Sequence, residues 1–412
     1  MLKADLLITL STRFAIIIAG LLTSILTARF LGPAGRGSYF FVITFAAIVA
    51  QFCTFGLQSS NTYLVAQQEE LLGKLTANSF WIALVTGTCF SLIVLLGFLI
   101  LHKPIPENLG FAIVLVPATL FFMLGTNLLV GINQIKTYNF FQLGGNYLII
   151  LAIVCAGLGA ASAKGFIAAS ALGWLVVSIV LFIVLARFSK SSLRFDREIF
   201  LKGFKYAMKA YLATLLGLLV LKSNIFLLKK FCSDQTLGYF SIASQINDVL
   251  AILPASIGLL LFPTLIRNNT NRWQETQKNL LATSLFMLVT CLLAALLVKP
   301  FVLLVFGARF ANAIPILLWM LPGAFFLGIL TILSQYLAAS GFPKQLIYIW
   351  FIAFLAVNIL SWFLIPAYGG IGAAIALSIT YFLLFCMIWL LASNLKKQIE
   401  PMLKTSLLET SV

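Results

Sequence analysis

The chain has 412 residues, of which 62% are hydrophobic and only 9% charged, against roughly 25% charged in an average soluble domain. With 37 Phe among them, too little polar surface remains to cover a water-soluble particle, which excludes a soluble enzyme, a disordered regulator and a secreted disulfide scaffold. The formal net charge of +16 would suggest nucleic acid in a soluble protein, whereas in a membrane protein it is first tested as a bias between loops.

Apolar runs of roughly 20 residues, long enough to cross a ~30 Å hydrocarbon core as a helix, recur twelve times. The first six are 6–28, 38–58, 80–101, 109–131, 141–160 and 165–185. The second six are 206–228, 239–265, 280–298, 313–337, 346–365 and 370–392. The first run is too long for a signal-peptide core and has no clear small-residue cleavage site, so it is expected to be retained. Connections are short, and the longest separates two groups of six helices. The expected organisation is an N-terminal six-helix bundle over 1–187, a cytoplasmic linker over 188–205 and a C-terminal six-helix bundle over 206–412. The fold class is therefore an all-α polytopic membrane protein of about twelve transmembrane helices.

Orientation follows from Lys and Arg. With the termini and the even-numbered loops on one side, that side carries eighteen of the 27 cations and the other side nine. The bias puts both termini in the cytoplasm. It accounts for most of the net charge without nucleic acid.

The two halves resemble each other. The segment Gly165 to Leu172 aligns with Gly370 to Leu377, an offset of 205, and Ser38 to Val42 aligns with Gly238 to Ile242, an offset of 200. Lys136 and Lys344, each after the fourth helix of its half, lie 208 apart. Six helices repeated once insert the same way up, so the halves are expected to be related by an axis along the membrane normal with a cavity between them. That is a transporter's arrangement.

Catalytic signatures are missing. No GxxxxGK[ST], HExxH, GxSxG or CxxC occurs, the single His102 sits beside Lys103, and Glu69-Glu70 is the only acidic pair. The six Cys are scattered and read as small hydrophobes. An enzyme is not expected. What remains are ionisable groups in apolar segments, which face a cavity or a partner more often than lipid. Asp248, flanked by Asn247 and Gln245, lies about ten residues into the eighth helix, ~15 Å deep at ~1.5 Å per residue. It reads either as a structural acid bonded to neighbouring helices or as a proton or Na+ coupling site. Lys222, with Asn224 beside it, and Arg13 in the first helix read either as snorkelling cations or as cavity lining suited to an anionic substrate.

The run Ala28-Arg-Phe-Leu-Gly-Pro-Ala-Gly-Arg-Gly-Ser-Tyr39 resembles the signature after the first helix of Wzx-type lipid-linked oligosaccharide flippases, in the multidrug/oligosaccharidyl-lipid/polysaccharide exporter superfamily. Leu237 to Ala243 leading to Leu261-Phe-Pro-Thr264, Leu304 to Pro315, and Leu364 to Ala374 are similar to the same family, in the same order. The resemblance implies a MATE-like fold of two bundles that flips an undecaprenyl-pyrophosphate-linked sugar unit by alternating access, with a cationic lumen and H+ or Na+ as coupling ion. It also implies a bacterial inner-membrane location, a lipid-linked oligosaccharide and membrane lipids as partners, and a polysaccharide polymerase complex alongside. Arg13, Arg29, Arg36, Lys222 and Asn224 are then the expected substrate contacts, and Asp248 the expected coupling acid. Where relatives often place an acid in helix seven, this chain has Lys222-Ser-Asn224. The alternative is a MATE-type multidrug antiporter, but cations outnumber acids in and beside the helices, which suits an anionic lipid better than a cationic drug.

Overall fold

The computed structural model describes residues 2–102, 104–159, 161–189, 194–267, 272–341 and 343–409. Lys103, Ala160, Lys190 and the rest of 190–193 in the expected linker lie outside them. Among the described residues the regular elements are all helical. Helices α1 (Leu2–Cys53), α2 (Leu57–Gln67), α3 (Leu72–Ile100), α4 (Ala112–Gly131), α5 (Ile135–Gly159) and α6 (Ala163–Phe188) precede α7 (Arg197–Lys222). Then follow α8 (Asn224–Phe231), α9 (Asp234–Leu250), α10 (Ile252–Arg267), α11 (Arg272–Val305), α12 (Ala313–Ala339) and α13 (Gln345–Glu409).

Ten stretches of the described residues are long and apolar enough to cross a membrane. Two of them, Ser11–Cys53 at 43 residues and Gln345–Lys397 at 53, are about twice the length one crossing needs. Each is broken by a glycine in the left-handed region, Gly32 at φ 65° and Gly369 at φ 57°, where a Cβ is unfavourable. Pro33 follows the first break, where its missing N–H costs nothing. The chain reverses there: Arg36 Nη2 reaches Ser24 Oγ at 3.1 Å although the two are 12 residues apart, roughly 18 Å along a straight helix. At the second break Gly372 lies against the Leu364 carbonyl, leaving no room for a Cβ. Counted at these reversals, the described residues hold twelve helical stretches of crossing length, the number that the apolar runs predict for a multi-pass membrane protein.

The chain divides into two compact units, Met1–Leu218 and Leu219–Val412. The division falls inside α7, beyond the loop that the apolar runs suggest, because the first half of α7 packs into the first unit. Gly203 sits against Ser60 and Leu64, Gly56 against Tyr211 and Ala207, and the Tyr211 hydroxyl donates to the Phe52 carbonyl. That carbonyl is free because Phe55 and Gly56, at φ 47° and 74°, end α1.

Each unit is built around one helix. In the first, α4 packs against α1, α2, α3, α5 and α6; in the second, α12 packs against α9, α10, α11 and α13. Their spans are the most enclosed of the ten, each 61% buried. Close approach is made by small residues: Gly87 of α3 lies on Pro117, and Gly323 of α12 on Ser378, whose hydroxyl accepts from the Gly323 N–H at 3.1 Å. The core helices begin at Ala112 and Ala313, nearly the offset seen between the halves in sequence. The second crossing of each half is also interrupted, at Thr54–Gly56 and at Ala251. Pro254 contributes to the latter, since it cannot donate to the Leu250 carbonyl.

Candidate substrate and coupling site

In the first unit the structure separates the cations expected to act together. Arg13 and Arg29 are exposed, whereas Arg36 is 4% exposed and turned into the α1 reversal. Its Nη1 donates to Thr27 Oγ1 at 2.7 Å and its Nη2 to Ser24 Oγ. The guanidinium also lies 5.7 Å from the Tyr39 ring centre and 5.9 Å from that of Phe40, a cation–π distance. The Tyr39 hydroxyl continues the chain of contacts to Ser170 Oγ of α6 at 3.0 Å. Because Gly32 folds the helix back, a cation nine residues beyond Thr27 can reach it. Arg36 holds the two arms of α1 together.

In the second unit the expected residues do converge. Lys222 ends α7, and its Nζ lies 3.2 Å from Asp248 Oδ2 and 3.5 Å from Ser244 Oγ. Ser244 and Asp248 are one helical turn apart on α9, so both point at the same ammonium. Lys222 is thus engaged sideways by an acid. Asp248 is not the isolated buried acid that its position in the run suggests: its side chain is 53% exposed and that of Lys222 is 22% exposed. A charged pair within apolar spans faces water or protein.

Next in the chain, Ser223 Oγ accepts from Asn358 Nδ2 of α13 at 3.1 Å. Asn224 opens α8 with no exposed surface, and neither its Oδ1 nor its Nδ2 has a hydrogen-bond partner. Asn247 Oδ1 of α9 and Ser361 Oγ of α13 are likewise buried without partners, and α8 packs against both of those helices. Buried amides are normally satisfied, so this region has hydrogen-bonding capacity to spare for a cation, through carbonyl oxygens, or for an anion, through N–H groups. The basic residues one turn further on are already engaged. Lys229 pairs with Asp234, and Lys230 lies over the Trp362 ring at 4.1 Å. Among the described residues no three His, Cys, Asp or Glu side chains converge as a metal cluster.

Sequence reasoning missed a second polar constellation, at the start of α7. Asn78 of α3, 3% exposed, accepts from the Asp196 N–H at 2.7 Å and donates to the Asp196 carbonyl at 2.8 Å. The Asp196 carboxylate accepts from the Ile199 N–H at 3.1 Å, capping the helix, and pairs with Lys74 at 3.1 Å. The Ile199 N–H and then Lys74 hold this carboxyl below the usual carboxylate range. A cleft of about 220 Å³ beside it is lined by Gln68, Lys74, Asp196, Glu198 and Lys202 among others. An Asp just ahead of an amphipathic helix is a readable cap signal, but its partner 118 residues away leaves no local trace.

Residues 26–315 match the family model described as polysaccharide biosynthesis protein. Comparison with curated proteins finds no match. Among solved structures, the chain is similar to the lipid II flippase MurJ in an inward closed conformation, with a TM-score of 0.74 and 19% identity over 94% of this chain and 87% of that one. An inward-facing multidrug resistance MATE family transporter of the MOP superfamily gives a TM-score of 0.73 and 16% identity over 93% of this chain and 96% of that one. An outward-facing structure described in the same terms gives 0.64 and 16% over 94% and 95%. At these identities the likeness is one of fold.

Proposed function

The chain belongs to the polysaccharide biosynthesis protein family, and from that premise we propose that it flips an undecaprenyl-pyrophosphate-linked oligosaccharide unit from the cytoplasmic to the periplasmic leaflet of the bacterial inner membrane. The substrate serves O-antigen or another surface polysaccharide, and a polysaccharide polymerase complex takes it up. The observation that carries this reading is a lysine, Lys222, held among apolar spans, whose three donors meet one carboxylate oxygen at 3.2 Å and one hydroxyl at 3.5 Å. A pyrophosphate needs such charge-assisted donors to cross a low-dielectric layer. The reading is transport rather than catalysis: the substrate's bonds stay intact, and the protein supplies a path and a direction.

Direction requires a gradient, and H+ or Na+ is the proposed coupling ion. Asp248 is the acid placed to respond, since its charge and that of Lys222 cancel in the pair. Exposed Arg13 and Arg29 are positioned to guide the headgroup, while Arg36 supports them from inside the α1 reversal. The fold is as similar to a MATE transporter as to MurJ, so multidrug antiport is the second reading. It calls for buried acids facing a cationic drug.

The test is complementation of a flippase-deficient strain. Wild type is expected to restore surface polysaccharide, and Lys222→Gln to restore roughly a tenth or less while reaching the membrane in equal amount. Restored drug resistance with no effect on polysaccharide would favour the antiporter. In vesicles, Asp248→Asn is expected to insert normally yet lose its response to an imposed pH or Na+ gradient; unchanged gradient dependence would make Asp248 structural.

A further inference from the structure

The pair formed by Lys222 and Asp248 is unequal in its surroundings. The ammonium is the enclosed member, 22% exposed, and the carboxylate the open one, 53% exposed. Lys222 closes α7 and is flanked by Ser223 and Asn224, both buried and packed toward α13. Asp248 lies in the last turn of α9, which ends at Leu250 and carries no basic residue there. The cation is enclosed, and the anion has an open flank.

An ammonium has three donors. Asp248 Oδ2 takes one at 3.2 Å, and Ser244 Oγ is in reach only at 3.5 Å. An anion with several oxygens would use more of the ammonium's donors than one carboxylate oxygen does.

We propose that Asp248 is a built-in stand-in for the substrate's anion. It neutralises Lys222 while the protein is empty, and a pyrophosphate oxygen takes its place on the ammonium when the lipid-linked substrate binds. Return of the carboxylate to Lys222 then displaces the headgroup, so one ion pair both admits and expels the anion. This rests on the transport reading above and assigns the pair a competitive role within it.

The experiment measures binding of inorganic pyrophosphate to full-length protein in nanodiscs by titration calorimetry, with sulfate at matched ionic strength as the control anion. Removing the competitor, Asp248→Asn should bind pyrophosphate roughly two- to fivefold more tightly than wild type. Lys222→Gln should bind about tenfold more weakly. The double variant should match Lys222→Gln, because the competitor matters only while the ammonium is there. Asp248→Glu, which keeps the carboxylate, should stay within about twofold of wild type, and Asp248→Ser replaces the Asn variant if that one fails to insert. Unchanged or weaker binding in Asp248→Asn overturns the exchange and leaves the pair as helix-to-helix support. Absence of any pyrophosphate binding sensitive to Lys222 overturns it as well, whereas the transport reading stands or falls separately on complementation.

Discussion

At the scale of single residues, two cations that look alike in sequence do different work. Arg36 and Lys222 both interrupt apolar stretches, but Arg36 is enclosed by hydroxyls and aromatic faces, and Lys222 is met by a carboxylate and a hydroxyl. The planar fork of Arg36 serves Thr27 and Ser24 with two separate nitrogens, which a lysine cannot reproduce. Arg36→Lys is therefore expected to destabilise the protein by about 1.5–3 kcal/mol, the value of hydrogen bonds to a charged group, read as a fall in thermal unfolding temperature. Arg29→Gln should leave that temperature unchanged and lower surface polysaccharide. A harmless Arg36→Lys would show that the α1 reversal is held by Gly32 and Pro33 alone.

At the scale of elements, the start of α7 is seated by side chains that respond to acid. The Asp196 carboxyl titrates below the range of an unfolded carboxylate. The stability it contributes is therefore complete above that range and disappears as pH falls through the lowered folded value. Amide exchange over 197–203 should accelerate as pH is taken below about 4, after correction for intrinsic exchange rates. Asp196→Asn should show fast exchange already at neutral pH and lose the dependence, and Asn78→Ala should loosen the same amides at every pH. Exchange in Asp196→Asn equal to wild type would place the seat in the apolar contacts of Gly203 and Tyr211 instead.

Elements also show what could and could not be read in advance. Run length alone marks the twelve crossings, because a bilayer demands ~20 apolar residues wherever it is crossed. The Gly32-Pro33 and Gly369-Gly370 pairs mark the two reversals that join crossings into α1 and α13. Pro254 marks the break after Leu250 as an expected kink, but the break after Cys53 was not legible. Phe55 carries no turn signature, and polar residues of α2 such as Asn61 and Thr62 look like a loop until Ser79 and the backbone of α4 satisfy them. The candidate site was legible as a set of residue types but not as a pairing. Nothing near Lys222 announces an acid 26 positions later, because the α8–α9 reversal that brings them together is set by the cap at Ser233 and the Lys229–Asp234 contact.

At the scale of the whole molecule, charge bias and duplication make one joint claim about orientation. Eighteen cations against nine predict that the termini lie inside, and an even number of crossings per half predicts that both halves share that orientation. Four exposed positions on connections read it out: Ala161 and Ala308 on the expected outer side, Glu70 and Lys344 on the inner. Cysteine introduced singly at each, in a background with the native cysteines replaced because Cys89 and Cys155 are themselves exposed, can be tested with a membrane-impermeant maleimide on spheroplasts. The outer two should label in intact spheroplasts and the inner two only after permeabilisation. A uniformly inverted pattern would overturn the placement of the termini while leaving the halves parallel. Labelling of 161 from outside and 308 only from within would mean that the halves insert in opposite senses. The near-constant offset between α4 and α12 would then record a shared core helix without a shared direction, and the charge rule would have to be reapplied to each half by itself.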